Sequence, residues 1–303
     1  MKPSASHSLG SLNVAVFYDP TNNAYIAAYN RTAPSIASQL GIKLTKFDAP
    51  DEGTQLNQIQ TAEASGRYNA WIVAAVDPVQ ECKLILGIAK KVPLLILNQG
   101  LCGHNTYTPG TVSFVGSQTT QVFSQFFGYI AQHNPNGGQV ALLTGPALNY
   151  NTDNCETEFK VMTKAHPNLT VVANEQLDYT EATAYTATTD LLHSHPNLKV
   201  LITDYSDMTV GAARAISQLG LTGKVQVYDL GASTQAIQDV KAGEITMSDP
   251  LLPVTEMASA IEAMARYWEG KSVYQYYNPA AQLTFPGAPF ITKQNVSHFT
   301  PAY

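Results

Sequence analysis

Short apolar runs recur along this chain, and each is followed by a longer segment of helical periodicity. Leu12-Asn13-Val14-Ala15-Val16-Phe17 reads as a buried strand, and Ala24 to Leu40 as a helix that Gly41 stops. Ile42 to Phe47 alternates like a strand with one wet face, and Thr54 to Ser65 is helical up to Gly66. Trp71 to Val76 is a wholly apolar strand, followed by a helix from Val79 to Lys90 and a strand from Pro93 to Leu97. The second half repeats the theme. Its strands are Val140–Leu143, Leu169–Ala173, Lys199–Ile202 and Val225–Tyr228. Its helices are Asp153–Ala165, Glu181–His193, Thr209–Leu219 and Thr234–Ala242. Apolar strands alternating with helices predict βαβ units around parallel sheets. Two such series, in 303 residues, predict an α/β chain of two doubly wound parallel-sheet lobes, because one core seldom grows to that size.

Composition narrows the function. Charged residues are only 13% of the chain, about half the usual share, and net charge is −6 with no dense Lys/Arg block. Nucleic acid is therefore a poor partner, since phosphate binding needs clustered cations. No apolar run approaches the ~20 residues needed to cross a bilayer. Met1 to Ser11 has no apolar core and is not a signal peptide as it stands. There is no Gly-x-Ser-x-Gly elbow, no phosphate loop and no dinucleotide fingerprint, and nothing pairs a nucleophile with a base, so no enzyme and no cofactor are expected. His193-Ser194-His195 has metal-like spacing, but it sits at a predicted helix C-terminus, where His suits the dipole, and no metal is expected. Tyr274-Gln275-Tyr276-Tyr277 is either a surface turn or a packing segment.

Ligands of open parallel sheets bind beyond the carboxyl ends of the strands. The candidate residues are therefore those that follow the strands: Asp19, Asn23 and Tyr25, then Asn98 and Gln99, then Tyr150, Tyr179, Asp204 and Tyr205, and finally Asp249. Planar amides, carboxylates and Tyr rings hydrogen-bond hydroxyl groups edge-on and cover C–H surface with an aromatic face. Several have a plainer alternative. Asn23 caps the helix at Ala24, the rings of Tyr25, Tyr179 and Tyr205 fill lobe cores, Asp204 and above all Asp207 cap the next helix, and Asp249 serves a hinge, whereas the end of a central strand leaves Asn98 and Gln99 few other roles.

In the order of these elements the chain resembles the ribose-type periplasmic sugar-binding proteins of the type I fold, from about Asn13 to Asn295. The signposts are Asn22-Asn23-Ala24-Tyr25, Phe114-Val115-Gly116-Ser117, Asp207-Met208-Thr209-Val210-Gly211-Ala212 and Tyr228-Asp229-Leu230-Gly231. The resemblance implies lobes of 12–116 plus 251–283 and 117–250 plus 284–303, with hinge crossings near 115–119, 248–252 and 283–286. It implies a monomeric solute-binding subunit of an ABC importer, in the periplasm or outside the cell, that hands a small molecule to a membrane permease. A sensory co-receptor facing a signalling kinase is the alternative. A repressor core needs a DNA-binding motif ahead of Leu12, where eleven residues stand. On this fold Cys82 and Cys102 are the pair to bridge, against free thiols at all three cysteines. The departures are specific. Asn98-Gln99 replaces the family's Asp-Arg pair, Cys155 stands where a second Arg precedes Phe159, and Leu230 stands where an Asp is usual. Charge-assisted bonds and bidentate Arg are lost together. The expected ligand is a small neutral polar molecule, such as a sugar, polyol or sugar-like compound.

Overall fold

A computed structural model describes residues 6–18, 23–147 and 149–303. The chain is α/β and divides into two compact units. The first holds residues 1–119, 252–279 and 303, and the second 120–251 and 280–302.

In the first unit the chain runs β1 (Asn13–Tyr18), α1 (Ala24–Leu40), β2 (Lys43–Asp48), α2 (Glu52–Ser65), β3 (Ala70–Val73), α3 (Cys82–Ala89), β4 (Leu94–Leu97) and β5 (Phe114–Val115). It is completed by α9 (Pro253–Trp268) and β11 (Tyr276–Tyr277). The six strands form one parallel sheet in the order β11-β5-β4-β3-β1-β2. Central β3 and β4 are buried at every residue, as strands covered on both faces must be, whereas β2 lies at the edge and is largely exposed. Phe17 stacks between Phe47 at 4.7 Å and Trp71 at 4.9 Å, which fixes the middle of this core. Tyr276 and Tyr277 form the edge strand β11, and the Tyr276 ring stacks on Phe114.

The second unit contains α4 (Thr120–His133), β6 (Gly138–Thr144), α5 (Tyr150–Ala165), β7 (Leu169–Gln176), α6 (Glu181–Ser194), β8 (Leu198–Thr203), α7 (Ser206–Gln218), β9 (Gln226–Gly231), α8 (Thr234–Ala242), β10 (Met247–Pro250) and β12 (Ile291–Thr292). Its sheet runs β12-β10-β9-β8-β6-β7, parallel except for the short antiparallel edge strand β12.

Four local results differ from the sequence reading or complete it. Helix α3 starts at Cys82 rather than Val79, because the Asp77 carboxylate accepts the N–H groups of Val79 and Gln80 at 2.9 Å and holds them in a turn. Helix α7 starts at Ser206, so Asp207 lies in its first turn and is not its cap. Helices α4 and α9 add to the elements expected from the strand–helix alternation, and α4 buries Phe123, Phe126, Phe127 and Ile130 at helical spacing. Cys82 and Cys102 form a disulfide, and Cys155 is a buried free thiol.

Gly211 marks the close packing of α6 and α7. A Cβ there would stand 2.1 Å from the carbonyl oxygen of Glu181, a backbone atom that cannot swing aside. Gly211→Ala is expected to destabilise the chain by roughly 1–3 kcal/mol through forced separation of the helices. Urea unfolding with an unchanged slope checks it, and wild-type stability would refute the close approach.

Candidate functional site

Each unit gathers buried polar side chains at the carboxyl end of its sheet. In the first unit Asn98 follows β4 directly and adopts φ 72°, a conformation unfavourable for a side chain with a Cβ. The turn is held by Asn98 N–H donating to Val115 O at 2.8 Å and by Gly116, where a Cβ would meet Asn98 O at 2.2 Å. Asn98 Nδ2 donates to Tyr25 Oη and to Tyr29 Oη, each at 3.1 Å. Both hydroxyls donate in turn to Glu256 Oε2, Tyr29 at 2.6 Å. Ser117 Oγ lies 3.2 Å from Glu256 Oε1 and 2.9 Å from Asn278 Oδ1. Burial pushes the Glu256 carboxyl up, against the hydrogen bonds from Tyr25, Tyr29 and Ser117. Burial, then the Glu256 charge, drives both tyrosines well above their ordinary range, so they stay protonated donors. Gln99 Nε2 donates to Ala75 O at 2.8 Å.

In the second unit the centre is Asp204, fully buried just after β8. Its carboxylate accepts from Gly145 N–H at 3.1 Å, Asn151 Nδ2 at 3.2 Å and Thr152 Oγ1 at 3.4 Å. Burial outweighs these bonds and raises its pKa to about 7. The Tyr179 hydroxyl sits 3.1 Å from Thr152 Oγ1, and its ring packs edge-on to Tyr205 at 5.3 Å. Tyr179 is held at φ 64°, and a Cβ on Gly145 would fall 1.8 Å from its ring, so only glycine makes room for it. Asn151 Oδ1 is buried and accepts no hydrogen bond.

A second carboxylate knot lies beside it. Asp229 accepts from Ser206 Oγ at 3.0 Å, Ala232 N–H at 3.0 Å, Thr209 Oγ1 and Ser248 Oγ. Alternate strand residues face opposite sides, so Asp229 does not take the place of the buried Leu230 next to it. Asp249 pairs in register with Leu230, is 2% exposed, and is pushed up to about 8 by burial and then by the Asp229 charge. Among the described residues none of these carboxylates forms an ion pair with Lys or Arg. Burial also pushes the Cys155 thiol up, so it offers no charge in place of an Arg.

The sequence candidates thus fall into distinct positions. Asn98 and Gln99 stand together at the first sheet's end, and Tyr179, Asp204 and Tyr205 together at the second's. Asn23 caps α1, its Oδ1 accepting from Ile26 N–H at 2.9 Å. Tyr25 is a buried member of the Glu256 network, Tyr150 opens α5, and Asp249 ends β10. Asp19 lies outside the described residues. Tyr29, Ser117, Glu256, Gly145, Asn151 and Thr152 join these positions without having been among the sequence candidates. Tyr29 was discoverable as the residue four after Tyr25 on one helix face. A hollow of about 580 Å³ beside β11, lined by Glu262, Arg266, Tyr274 and Tyr277 among others, shares none of these residues.

The periplasmic binding protein domain family matches residues 14–272. The chain belongs to that family. It is 23% identical over 267 residues to the D-allose-binding periplasmic protein of Escherichia coli, a match spanning 86% of each chain. Among solved structures, an ABC transporter periplasmic solute-binding protein of Actinobacillus succinogenes with bound D-allose superposes with a TM-score of 0.80 at 21% identity, over 95% of this chain and 100% of that one. A solute-binding protein of Bacillus halodurans with bound myo-inositol gives 0.83 at 17% identity, over 98% of this chain and 100% of the other. The family fold is thus shared across both units.

The raised carboxyl of Asp249 has a consequence for pH. Its folded value of about 8 exceeds the ordinary 3.8, so the folded chain holds more protons than the unfolded one between those limits. Stability of the ligand-free chain therefore falls as pH rises from about 4 to about 8 and levels off above, and Asp204, at about 7, adds a slope of the same sign. Asp249→Asn is expected to flatten this dependence and to add at least about 1 kcal/mol at pH 8. Urea melts from pH 5 to pH 8 check it, and an undiminished slope in the variant would refute it.

Proposed function

We propose that this chain is the solute-binding subunit of an ABC importer, a monomer that captures a small neutral polyol or sugar-like molecule by hinge closure and presents it to a membrane permease. It carries its ligand without converting it. The supporting observation is the gathering of buried, hydrogen-bonded amides, tyrosines and carboxylates at the carboxyl ends of both sheets, where open parallel sheets bind ligands. Family membership supports the carrier role. The bound D-allose and myo-inositol of similar proteins support the ligand class. Among the described residues no Lys or Arg pairs with the buried carboxylates, which argues against an anionic ligand, since it would add like charge to a site of low dielectric. The Cys82–Cys102 bridge suits an oxidising compartment, in keeping with the periplasm or cell exterior.

Asn98, Gln99, Tyr179, Asp204, Tyr205 and Asp249 are the proposed contacts, with Asn23 and Tyr150 at the rim, and Asp19 stays a candidate on its place in the sequence alone. Tyr25 acts behind Asn98. A weak neutral hydrogen bond gains strength once water is excluded, so closure and recognition reinforce each other.

A thermal-shift screen of sugars, cyclitols and small polyols, joined to mass spectrometry of whatever co-purifies, tests this reading. A true ligand at 100 times its Kd is expected to add about 2.7 kcal/mol of stability. A co-purifying phosphate ester or other anion, or a complete absence of response to neutral polyols, would sink it.

A further inference from the structure

Proton bookkeeping around Asn98 leads beyond ligand class to the kind of atom this site reads. We propose that the Glu256 carboxylate, by taking the hydroxyl protons of Tyr25 and Tyr29, orients the Asn98 amide so that it meets the ligand only as a hydrogen-bond acceptor. Glu256 is then a positioning residue, and the ligand must bring a donor, a hydroxyl or an amine, to this sheet end. The proposal rests on the solute-capture reading above.

A hydroxyl has one proton; the two hydroxyls lie 3.3 Å from each other but closer to Glu256 Oε2, Tyr29 at 2.6 Å, so each directs its proton to the carboxylate. Each phenol oxygen is left with lone pairs, and both face the Asn98 side chain at 3.1 Å. An amide oxygen there would meet acceptors on both sides, so the NH2 end must occupy the position. Nδ2 has two protons and two tyrosine oxygens to receive them, which uses both. Only Oδ1 remains for a ligand, at the end of a central strand and on a residue held at φ 72°. Had position 256 been neutral, the tyrosine protons could turn toward Asn98 and the amide could flip.

Asn151, in the other unit, repeats the pattern with a different carboxylate. Its Nδ2 faces Asp204 O at 3.1 Å and Asp204 Oδ2 at 3.2 Å, both acceptors, so its amide is oriented without ambiguity. Its Oδ1 is the buried atom that accepts nothing. An acceptor buried in this way stabilises a bound donor and repels an ether, a carbonyl or a fluorine.

The first test needs no ligand. In the full chain with 15N-labelled asparagine, the Asn98 side-chain protons are expected to be protected from exchange, and in Glu256→Gln to exchange at least about tenfold faster. Tyr29→Phe keeps the carboxylate and removes one oxygen, and is expected to release one Nδ2 proton while holding the other, which keeps the question open to measurement should Glu256→Gln fail to fold. The second test uses whichever of D-allose, myo-inositol or glycerol binds, with its monodeoxy and monodeoxy-fluoro derivatives. At two hydroxyl positions both replacements are expected to weaken wild-type binding by about tenfold or more, and Glu256→Gln to regain part of the fluoro binding at one of them. Unchanged Asn98 exchange in Glu256→Gln, or fluoro derivatives that bind as well as the parent at every position, overturns the proposal. If none of the three polyols binds, the capture reading fails on that panel, while the exchange measurement still decides the amide orientation.

Discussion

A carboxylate removed from water with no cation beside it has to be satisfied by neutral donors, and among the described residues several are buried that way. Glu256 takes tyrosine hydroxyls from α1 and faces a serine just past β5. Asp204 takes an N–H group after β6 and two side chains from the start of α5. Asp229 joins β9 to the first turns of α7 and to β10. In each case the donors come from different elements, so one charge aligns several strand ends. Removing a donor leaves the charge poorly compensated in a medium that screens it weakly, which is why such knots tolerate little rearrangement.

The stiffness of these knots lets the strand ends adopt conformations they would not choose alone. Asn98, Tyr179 and Ala232 all have positive φ, a state costing on the order of 1–3 kcal/mol for a residue with a Cβ. Each lies just beyond a strand and beside one of the three carboxylates. Glycine fills the matching gaps, at Gly116 against the Asn98 carbonyl and at Gly145 against the Tyr179 ring. At these three strand ends, strain and close approach coincide with polar side chains that project past the sheet.

Periodicity explains how much of this was legible. The strands β1, β3, β4, β6 and β8 are apolar runs between turn residues, and α1 and α8 end on glycines with positive φ, so those elements could be read directly. Helices α4 and α9 fall outside the strand–helix rhythm. Neither starts from a strong apolar strand, although both carry a buried stripe. The site was legible as a set of positions and not as a set of partners. That Asn98 follows a strand is written in the order of residues, whereas its bond to Tyr29 and, through it, to Glu256 spans two distant parts of the chain and depends on packing alone.

The same distinction bears on the lost charges of the sugar-binding pattern. By position in the sequence Asp229, one place from Leu230, is the natural substitute for the missing carboxylate. Strand geometry forbids it, since a shift of one residue moves a side chain to the other face, and Asp229 is engaged there by three hydroxyls and an N–H group. Nor does Cys155 stand in for a cation, because burial keeps its thiol neutral. Asn98 and Asn151 are therefore left with amide oxygens whose own N–H donors are committed to the protein. On the proposed reading these oxygens have little to offer a group that only accepts, because the protons around them are fixed by the fold before any ligand arrives.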